Sequence, residues 1–376
     1  MTTELAARLA DLRPDGPDEM GRELAEGPVA VEATLAVVER LRPELEEARR
    51  TASRLLFVGT GASLAMAQAA APLFRAAEAS EAAEASEAAS GRPRPVVVLE
   101  ASSIVLAPAG EERFRPGDLA VVISQSGASP ETLAAARRAR AAGATVLAIT
   151  ADAGSPLAAA GRLVIHTPSG AEAGAATKSE LAALAALTAL AGALPCDRTA
   201  AAALRGSLEA LVADPAAVLP AGLALARAAH AWAVGFGSAT GLARGATLLL
   251  HEKALLVTVP GTPSEFRHGP IEAAGPADAV LLVETDPPDP RRAAYLARLA
   301  GELAELRVPL VAVGRDPLPP GPLTIRVPEP PAAGAVLLHT LLRIQQLARL
   351  TAHARGTYRD GFRVLRTIVG AARDLV

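Results

Sequence analysis

Short apolar runs alternate with helical stretches along most of this chain, and this alternation restricts the fold more than any other feature. One run, Arg54–Val58, ends in Gly59-Thr60-Gly61 and passes into a helical stretch; another, Ala231–Val234, ends in Gly235-Phe236-Gly237 and does the same. Strands that alternate with helices form parallel sheets joined by right-handed crossovers. The sequence therefore predicts an α/β protein with two tandem units, each a doubly wound, mostly parallel sheet flanked by helices, and we interpret the glycine turns as an internal duplication.

Ten apolar runs are the candidate strands of these units. In the first unit they are Arg54–Val58, Val96–Leu99, Leu119–Ile123, Thr145–Thr150 and Leu163–His166. In the second unit they are Ala231–Val234, Leu255–Val259, Ala279–Glu284, Leu310–Val313 and Leu323–Val327.

This pattern divides the chain into five predicted segments. They are an N-terminal helical segment (1–50), a first domain (51–197), linking helices (198–222), a second domain (223–355) and a C-terminal tail (356–376). Thr3–Arg49 predicts two polar helices interrupted around Pro14–Pro17. A six-residue Ala/Glu/Ser sequence at 77–82 repeats at once as 83–88, which we interpret as a surface insertion.

Composition excludes several classes of function. The chain has 376 residues, 51% of them hydrophobic, and a formal net charge of −3, so it can bury sizeable cores but lacks the basic excess typical of nucleic-acid or anionic-membrane binding. The single cysteine, Cys196, cannot form an internal disulfide. The start of the chain shows no apolar targeting segment, and the longest apolar run, Leu181–Leu194, is shorter than the ~20 residues of a membrane span. We expect a cytoplasmic protein with neither a nucleic-acid nor a membrane partner, and a buried helix at 181–194.

The glycine turns do not fit the nucleotide-binding motifs. The dinucleotide fingerprint needs a third glycine three residues beyond the second, and Leu64 occupies that position. Neither turn carries the lysine of a P-loop. Four histidines also lack metal-ligand spacing: His166, His230, His339 and His353. We therefore predict neither a cofactor nor a metal.

A hydroxyl-rich turn is the strongest candidate for a ligand site. Ser124-Gln125-Ser126-Gly127-Ala128-Ser129 joins the end of a predicted strand to the start of a helix, where free backbone N–H groups and the helix dipole attract anions. Gly127 permits a close backbone approach. The turn predicts a phosphate site, and Ser63, at the matching turn after the first strand, is placed to complete it.

Four motifs together resemble the sugar isomerase (SIS) domain proteins: Gly59–Ser63, Ser124–Ser129, Glu172–Lys178 and Glu265–Pro270. The resemblance runs from Arg54 to Arg366 and is greatest to the tandem-SIS isomerase half of glucosamine-6-phosphate synthase and to the stand-alone amino-sugar-phosphate isomerases and deaminases. It implies two SIS domains, a sugar 6-phosphate substrate and a homodimer whose site is shared between subunits, closed by the C-terminal tail. It further implies a substrate-binding set of Ser63, Ser124, Gln125, Ser126, Ser129 and the backbone of Ala175.

The same resemblance implies the catalytic residues. The family base, which moves a proton between C1 and C2, ends a helix of the second unit; counted back sixteen residues from His268 it falls on Glu252, and counted from the helix start on His251. Glu252 has the chemistry of a base and is our assignment. His268 matches the histidine that assists ring opening, reaching into the neighbouring subunit's site.

The chain also departs from the synthase pattern. The stretch between Glu172 and Thr177 is one residue shorter, leucines stand at 248–250 where the family helix has a lysine, and Arg366 stands where the synthases have a tail lysine. We also expect no glutaminase domain before the first unit. These differences favour isomerisation, deamination or elimination over synthesis.

The scarcity of lysine limits the amine chemistry of the site. The chain has two lysines, Lys178 and Lys253, and arginine cannot form an imine because its guanidinium stays protonated. Lys253 follows Glu252, but one helical step turns it about 100° away. We predict a non-covalent mechanism in which Arg366 contributes charge.

Two alternative functions stay open at the level of sequence. A lyase or dehydratase acting on N-acetylglucosamine 6-phosphate would use a similar carboxylate to take the C2 proton and expel the C3 substituent. A non-catalytic sugar-phosphate sensor would need the phosphate turn but not Glu252 and His268 together. The leading prediction is an aldose–ketose isomerase or deaminase of the glucosamine-6-phosphate type.

Overall fold

Two five-stranded parallel sheets organise the chain. The computed structural model describes residues 18–84, 92–108, 113–316, 318, 319, 321 and 323–364. The first sheet contains β1 (Arg54–Gly59), β2 (Val96–Glu100), β3 (Asp118–Ile123), β4 (Thr145–Thr150) and β5 (Leu163–His166), in the order β2-β1-β3-β4-β5. The second contains β6 (His230–Gly235), β7 (Val257–Gly261), β8 (Ala279–Glu284), β9 (Leu310–Gly314) and β10 (Thr324–Arg326), in the order β10-β9-β8-β6-β7.

Both sheets have the same topology. Each places its first strand beside its second and third, so the chain reverses direction across the sheet between the first and third strands. In the first sheet Val58 aligns with Leu99 on one side and Val122 on the other, and in the second Val234 aligns with Gly261 and Leu282. Every strand pairing among the described residues is parallel. The predicted α/β architecture with two parallel sheets is confirmed.

Helices flank the two sheets. They are α1 (Glu19–Arg40), α2 (Arg42–Thr51), α3 (Ala62–Glu84), α4 (Ala101–Val105), α5 (Pro130–Ala141), α6 (Pro156–Ala160), α7 (Lys178–Leu190), α8 (Arg198–Val212), α9 (Leu219–Arg227), α10 (Ser238–Glu252), α11 (Pro263–Arg267), α12 (Pro290–Glu305) and α13 (Ala335–Arg355). Short 3₁₀ turns lie at Pro215–Val218 and Pro270–Ala273. As predicted from the apolar run at 181–194, α7 is a buried helix.

The chain forms two compact units. The first, here the β1–β5 unit, comprises Val29–Gly170 and Ser179–Ala202. The second, the β6–β10 unit, comprises residues 18–28, Ala171–Lys178 and Ala203–Val364 of the described chain. Each unit has its own apolar core. In the first unit, alanines and valines of β3, β4 and α5 form much of the core. In the second unit, leucines of β8 and α12 do so.

Some local predictions were wrong. The strand expected at Leu255–Val259 begins two residues later, because Leu255 adopts a positive φ of 48° in the turn that follows α10. A helix that was not predicted, α12, follows β8, and Asp289 caps it by accepting the N–H groups of Arg291 and Arg292. The predicted interruption around Pro14–Pro17 lies outside the described residues.

The repeated Ala/Glu/Ser tract is partly built into the β1–β5 unit. α3 continues through residues 77–84, and the remainder of the tract lies largely outside the described residues. Glu78, from the first copy, is buried and forms ion pairs with Arg49 (3.2 Å) and with Arg94. Its first copy is therefore anchored to α2 and to the chain before β2 and is not a free surface insertion.

Among the described residues no single helix is long and apolar enough to cross a membrane, although α8 and the Pro215–Arg227 segment, which are bent by 60° at their junction, are so when taken together.

Candidate functional site

The hydroxyl-rich turn lies at the carboxyl end of β3. The Gly127 N–H donates to the Ser124 carbonyl (3.1 Å), which closes the turn, and the Gln125 carbonyl accepts from the Ala151 N–H (3.0 Å). Gly127 has a φ of +60°, and a Cβ there would overlap the Ser155 hydroxyl. The position therefore requires glycine both for its conformation and for the close packing beneath it.

The side chains of the turn leave hydrogen-bonding capacity unused. Ser129 is the N-cap of α5 and makes no side-chain cap bond, while the Ser124 hydroxyl lies 3.4 Å from that of Ser129. The Ser126 hydroxyl accepts the Ala128 N–H at 3.3 Å, and Gln125 is exposed. An uncapped helix N-terminus ringed by hydroxyls is suited to an anion such as phosphate.

Ser63 lies at the neighbouring turn of the same sheet. It is in the first turn of α3, directly after β1, and β1 pairs with β3. The carboxyl ends of these two strands form the point at which the strand order reverses, which is where open α/β sheets bind ligands. The β1–β5 unit thus brings Ser63 and the serines of residues 124–129 to one sheet edge.

The corresponding turn of the second sheet is filled by the protein itself. Gly237 precedes α10 with a φ of +52°, and a Cβ there would lie 2.6 Å from Oδ2 of Asp286. The Asp286 carboxylate accepts the Ser238 N–H at the start of α10. This internal carboxylate satisfies the helix N-terminus that a ligand anion would otherwise occupy.

Glu252 is the last residue of α10 and carries a carboxylate with an unusually high proton affinity. Its side chain is half-buried and, among the described residues, makes neither a hydrogen bond nor an ion pair. Burial raises the pKa of this carboxyl to about 7, and the neighbouring Lys253 ammonium opposes the rise. A carboxylate with a pKa near neutrality is a competent general base.

His251, the alternative to Glu252 in the family register, is engaged elsewhere. Its side chain is exposed, and its Nε2 accepts the Thr258 N–H at 2.9 Å. This bond ties the end of α10 to β7. Of the two neighbouring residues, Glu252 is the one whose side chain has no partner within the described chain.

Segment 171–178 belongs to the same unit as Glu252, and two carboxylates shape it. Glu23 accepts the Ala173 N–H (2.9 Å) and lies 2.8 Å from the Thr177 hydroxyl, while Glu172 accepts the Thr177 N–H (2.9 Å). Ala175, between these anchor points, is buried. Glu23 was not predicted from the sequence, because about 150 residues separate it from its partners and no local pattern marks it.

The sequence also gave no indication that Lys253 has a structural role. It is buried, with an exposed fraction of 2%, and its ammonium donates to the carbonyls of Arg359 and Gly361, both at 3.2 Å. The ammonium lies against Gly174, where a Cβ would be 2.7 Å away. The structure thus brings the end of α10, segment 171–178 and the Arg359–Gly361 turn together around one lysine.

His268 lies at the end of α11 and is exposed. The helix begins with a capping box in which Thr262 and Glu265 exchange hydrogen bonds, so the glutamate of the Glu-x-x-His-Gly-Pro motif is a structural cap. The His268 backbone N–H donates to the Glu265 carbonyl (3.1 Å), and within the described chain the imidazole makes no hydrogen bond. Arg366 lies outside the described residues.

Comparison with known proteins identifies the class of the first unit. Residues 50–193 match the family model described as SIS domain, and this range contains β1–β5 together with the hydroxyl-rich turn. The resemblance expected from the four motifs is confirmed.

Particular relatives extend the match beyond that domain. The glutamine–fructose-6-phosphate aminotransferase (isomerizing) of Pyrobaculum aerophilum is 29% identical over 256 residues, which cover 65% of this chain and 42% of that protein. The match thus spans less than half the length of that relative.

Solved structures resemble the chain over most of its length. The C-terminal domain of glucosamine-fructose-6-phosphate aminotransferase from Francisella tularensis superposes with a TM-score of 0.70 at 20% identity, covering 92% of this chain and 98% of that one. Tagatose-6-phosphate ketose/aldose isomerase from Escherichia coli gives 0.71 at 21% identity over 89% and 92%. Glucosamine-6-phosphate deaminase from Thermotoga maritima gives 0.61 at 19% over 90% and 96%. These similarities establish a shared fold.

Proposed function

We propose that the protein is an amino-sugar 6-phosphate enzyme of the isomerase or deaminase type, in which Glu252 abstracts the C2 proton. The observation that carries this proposal is the Glu252 carboxylate, which is half-buried, unpaired within the described chain and raised in pKa to about 7. A structural glutamate at a helix end gains stability from a partner. A base for carbon acids instead needs a free carboxylate with a high proton affinity.

The chemistry requires an open-chain sugar. The C2 proton becomes acidic next to a C1 carbonyl, and its removal gives an enediol or enolamine intermediate. Returning the proton to C1 completes an aldose–ketose isomerisation. With a C2 amino group, the resulting C2 imine hydrolyses to the ketose and ammonia. In both reactions Glu252 takes the proton from C2 and returns it to C1.

The hydroxyl-rich turn supplies the binding energy in this proposal. Ser63, Ser124, Ser126 and Ser129, with Gln125, bind the 6-phosphate at the uncapped N-terminus of α5. The phosphate takes no part in bond making, so its contacts position C2 without weakening the reacting bonds. Asp286 supports the assignment of the phosphate to the first sheet, because it already fills the turn after β6, which matches the Ser63 turn after β1.

His268 assists ring opening by moving a proton between O1 and O5. Its exposure and its place beside Gly269-Pro270 support a role at a partner's site, so we propose a homodimer of tandem SIS units in which His268 serves the neighbouring subunit. The backbone of Ala175 contacts the sugar from segment 171–178. The Arg366 side chain adds positive charge from the tail that closes the site.

The names of the similar proteins support the substrate class. Two of them are described as acting on glucosamine- or fructose-6-phosphate and one on tagatose 6-phosphate. All three are sugar 6-phosphates.

Incubation with candidate substrates tests this function. The full-length chain is mixed with glucosamine 6-phosphate in D₂O, and release of ammonia, formation of ketose phosphate and exchange of the C2 proton are followed by NMR. N-acetylglucosamine 6-phosphate is the parallel substrate, with ultraviolet absorbance reporting elimination at C3. Glu252→Gln, which keeps the shape of the side chain and removes its basicity, is the matched variant.

Each outcome assigns a different function. Ammonia or ketose formation that is lost in Glu252→Gln supports the proposal. Ultraviolet absorbance with the N-acetylated sugar alone would replace it with a lyase. Tight binding of a sugar 6-phosphate without C2 exchange would replace it with a sensor.

A further inference from the structure

Lys253 lies at a helix end but is buried, whereas a lysine in that position usually faces solvent. It is the C-cap residue of α10, and its own carbonyl accepts the Thr357 hydroxyl at 3.0 Å. Its ammonium turns inward onto the carbonyls of Arg359 and Gly361, both at 3.2 Å. One residue therefore contacts the C-terminal segment, Thr357–Gly361, through both its backbone and its side chain.

Gly174 and Tyr358 also lie close to the Lys253 ammonium. Gly174 leaves room for the ammonium, because a Cβ there would lie 2.7 Å from Nζ and 3.3 Å from Cα of Gly361. The Tyr358 ring centroid lies 5.5 Å from Nζ, within reach of a cation–π contact. A side chain on Gly174 would therefore displace the Lys253 ammonium from its present position.

Charged groups from three elements surround the ammonium. Glu19 and Glu23 come from α1, Asp360 from the C-terminal segment and Glu252 from α10, and all four favour the charged form. Burial acts more strongly and lowers the pKa of Lys253. A buried ammonium with this many acceptors and anions has the surroundings of a fixed structural cation.

The Thr357–Gly361 segment is also held from its other side. The Tyr358 hydroxyl accepts the Met20 N–H (3.1 Å), and Asp360 accepts the Glu19 N–H (2.9 Å). The Gly361 N–H donates to the Glu19 carboxylate at 3.1 Å. The segment is thus clamped between the start of α1 and Lys253, and Lys253 is the clamp contact next to the proposed base.

We propose that Lys253 is the positioning residue of the site: its buried ammonium holds the Arg359–Gly361 turn and the Gly174 backbone at the end of the helix that carries Glu252. The side chain acts through these neighbours and forms no bond to substrate. Its positive charge, adjacent to Glu252, also moderates the proton affinity of that carboxylate. This inference rests on the proposed function insofar as Glu252 is the base.

Two measurements test the proposal, and neither depends on catalytic activity. Amide hydrogen exchange followed by mass spectrometry reports the protection of residues 357–364 in the full-length chain. NMR titration of protein labelled with ¹³C at the glutamate carboxyls reports the pKa of Glu252, whose signal is assigned by its absence in Glu252→Gln. Both measurements keep their meaning if the protein proves not to act on amino-sugar phosphates.

Two substitutions of Lys253 separate its hydrogen bonds from its charge. Lys253→Met should speed exchange in 357–364 by roughly 10-fold or more, because the carbonyls of Arg359 and Gly361 lose their donor. It should also raise the pKa of Glu252 by roughly half a unit or more, since a nearby positive charge is lost. Lys253→Gln keeps an amide donor, so we expect the pKa change with a smaller loss of protection.

Two further variants control for general loss of stability. Lys178→Met removes the other lysine, which is buried and ion-paired with Glu26, and should change neither the exchange of 357–364 nor the pKa of Glu252. Gly174→Ala keeps Lys253 but displaces its ammonium, and should reproduce the faster exchange. It also gives the answer if the Lys253 variants do not fold.

The proposal is overturned if Lys253→Met or Gly174→Ala shows the exchange of the unmodified protein, or if the pKa of Glu252 stays the same in both Lys253 variants. The expected changes in an enzyme inactive on every sugar phosphate would uphold the positioning role and reject the proposed function.

Discussion

The carboxylate of Asp286 lies directly over Gly237, 2.6 Å from where a Cβ on that glycine would be. In the first sheet the matching position, at the start of α3, is open: no atom of the described residues lies within 4 Å of a Cβ on Gly61. The two turns have the same glycine spacing and the same place in the strand order, but the one in the second sheet already contains an anion. This difference predicts that the chain binds phosphate at its first sheet.

Ser124→Ala and Ser126→Ala should each weaken the binding of glucosamine 6-phosphate by about 1–3 kcal/mol, the value of a lost charge-assisted hydrogen bond. Ser238→Ala is the matched control, because Ser238 follows the turn that Asp286 fills, and its affinity should equal that of the unmodified protein. Titration calorimetry measures all three. Equal affinity in the Ser124 and Ser126 variants would place the phosphate elsewhere.

The decrease of kcat at low pH should follow the ionisation of Glu252. A base with a pKa of about 7 is protonated below neutrality, so turnover should fall as the pH drops from 8 to 6. Glu252→Gln should lower kcat by roughly 10²–10⁴-fold at all pH values. Glu305→Gln, at the exposed end of α12, is the control with unchanged kcat. A flat profile between pH 6 and 8 would contradict the assignment of the base.

The same group should make stability depend on pH. Because the pKa of Glu252 rises from 4.5 in the unfolded chain to about 7 in the folded one, the folded state binds the extra proton and loses stability as the pH rises through this window. Glu252→Gln removes this loss. The variant should be more stable by about 1–3 kcal/mol at pH 8 and by much less at pH 5.

Denaturant unfolding at the two pH values measures the effect, with Glu305→Gln again as control. A Glu252→Gln protein that is less stable at pH 8 would show that the carboxylate has a stabilising partner. It would then be a structural residue.

The sheets could be predicted because their strands are buried on both faces and read as unbroken apolar runs. Thr145–Thr150, Leu163–His166 and Ala279–Glu284 have the same ends in the sequence and in the structure. α12 was not predicted, although its buried residues Leu296, Leu299 and Leu303 repeat at helical spacing. At β7 the positive φ of Leu255 delays the strand, and local hydrophobicity does not show this backbone conformation.

The contacts around Glu252 could not be predicted for a different reason. Lys253 was expected to face away from Glu252 by one helical step, but α10 ends at Glu252 and Lys253 is already its cap, so helical geometry does not fix the side chain. Its carbonyl partners lie more than one hundred residues away in sequence. Contacts of this kind arise from the tertiary fold and leave no local pattern.

Subunit mixing tests whether the site is shared. Glu252→Gln and His268→Ala should each be inactive as homodimers. If His268 serves the partner's site, a mixed dimer regains one site with both groups intact, so a co-refolded mixture should recover up to about a quarter of the original activity by random pairing. No recovery from a mixture shown to contain mixed dimers would place Glu252 and His268 in a site built within one chain.

Reduction with borohydride in the presence of substrate should leave the protein mass unchanged. An imine needs an amine with a free lone pair, and arginine, which stands at 366, does not provide one. The ammonium of Lys253 donates to two carbonyls, and Lys178 is ion-paired with Glu26, so both lysine side chains are already engaged within the protein. Mass spectrometry of the treated protein checks this, with the Lys253→Gln variant to locate any adduct. A sugar-phosphate adduct that disappears in Lys253→Gln would show that this lysine leaves the Arg359–Gly361 turn and reacts covalently, which would contradict both the non-covalent mechanism and its positioning role.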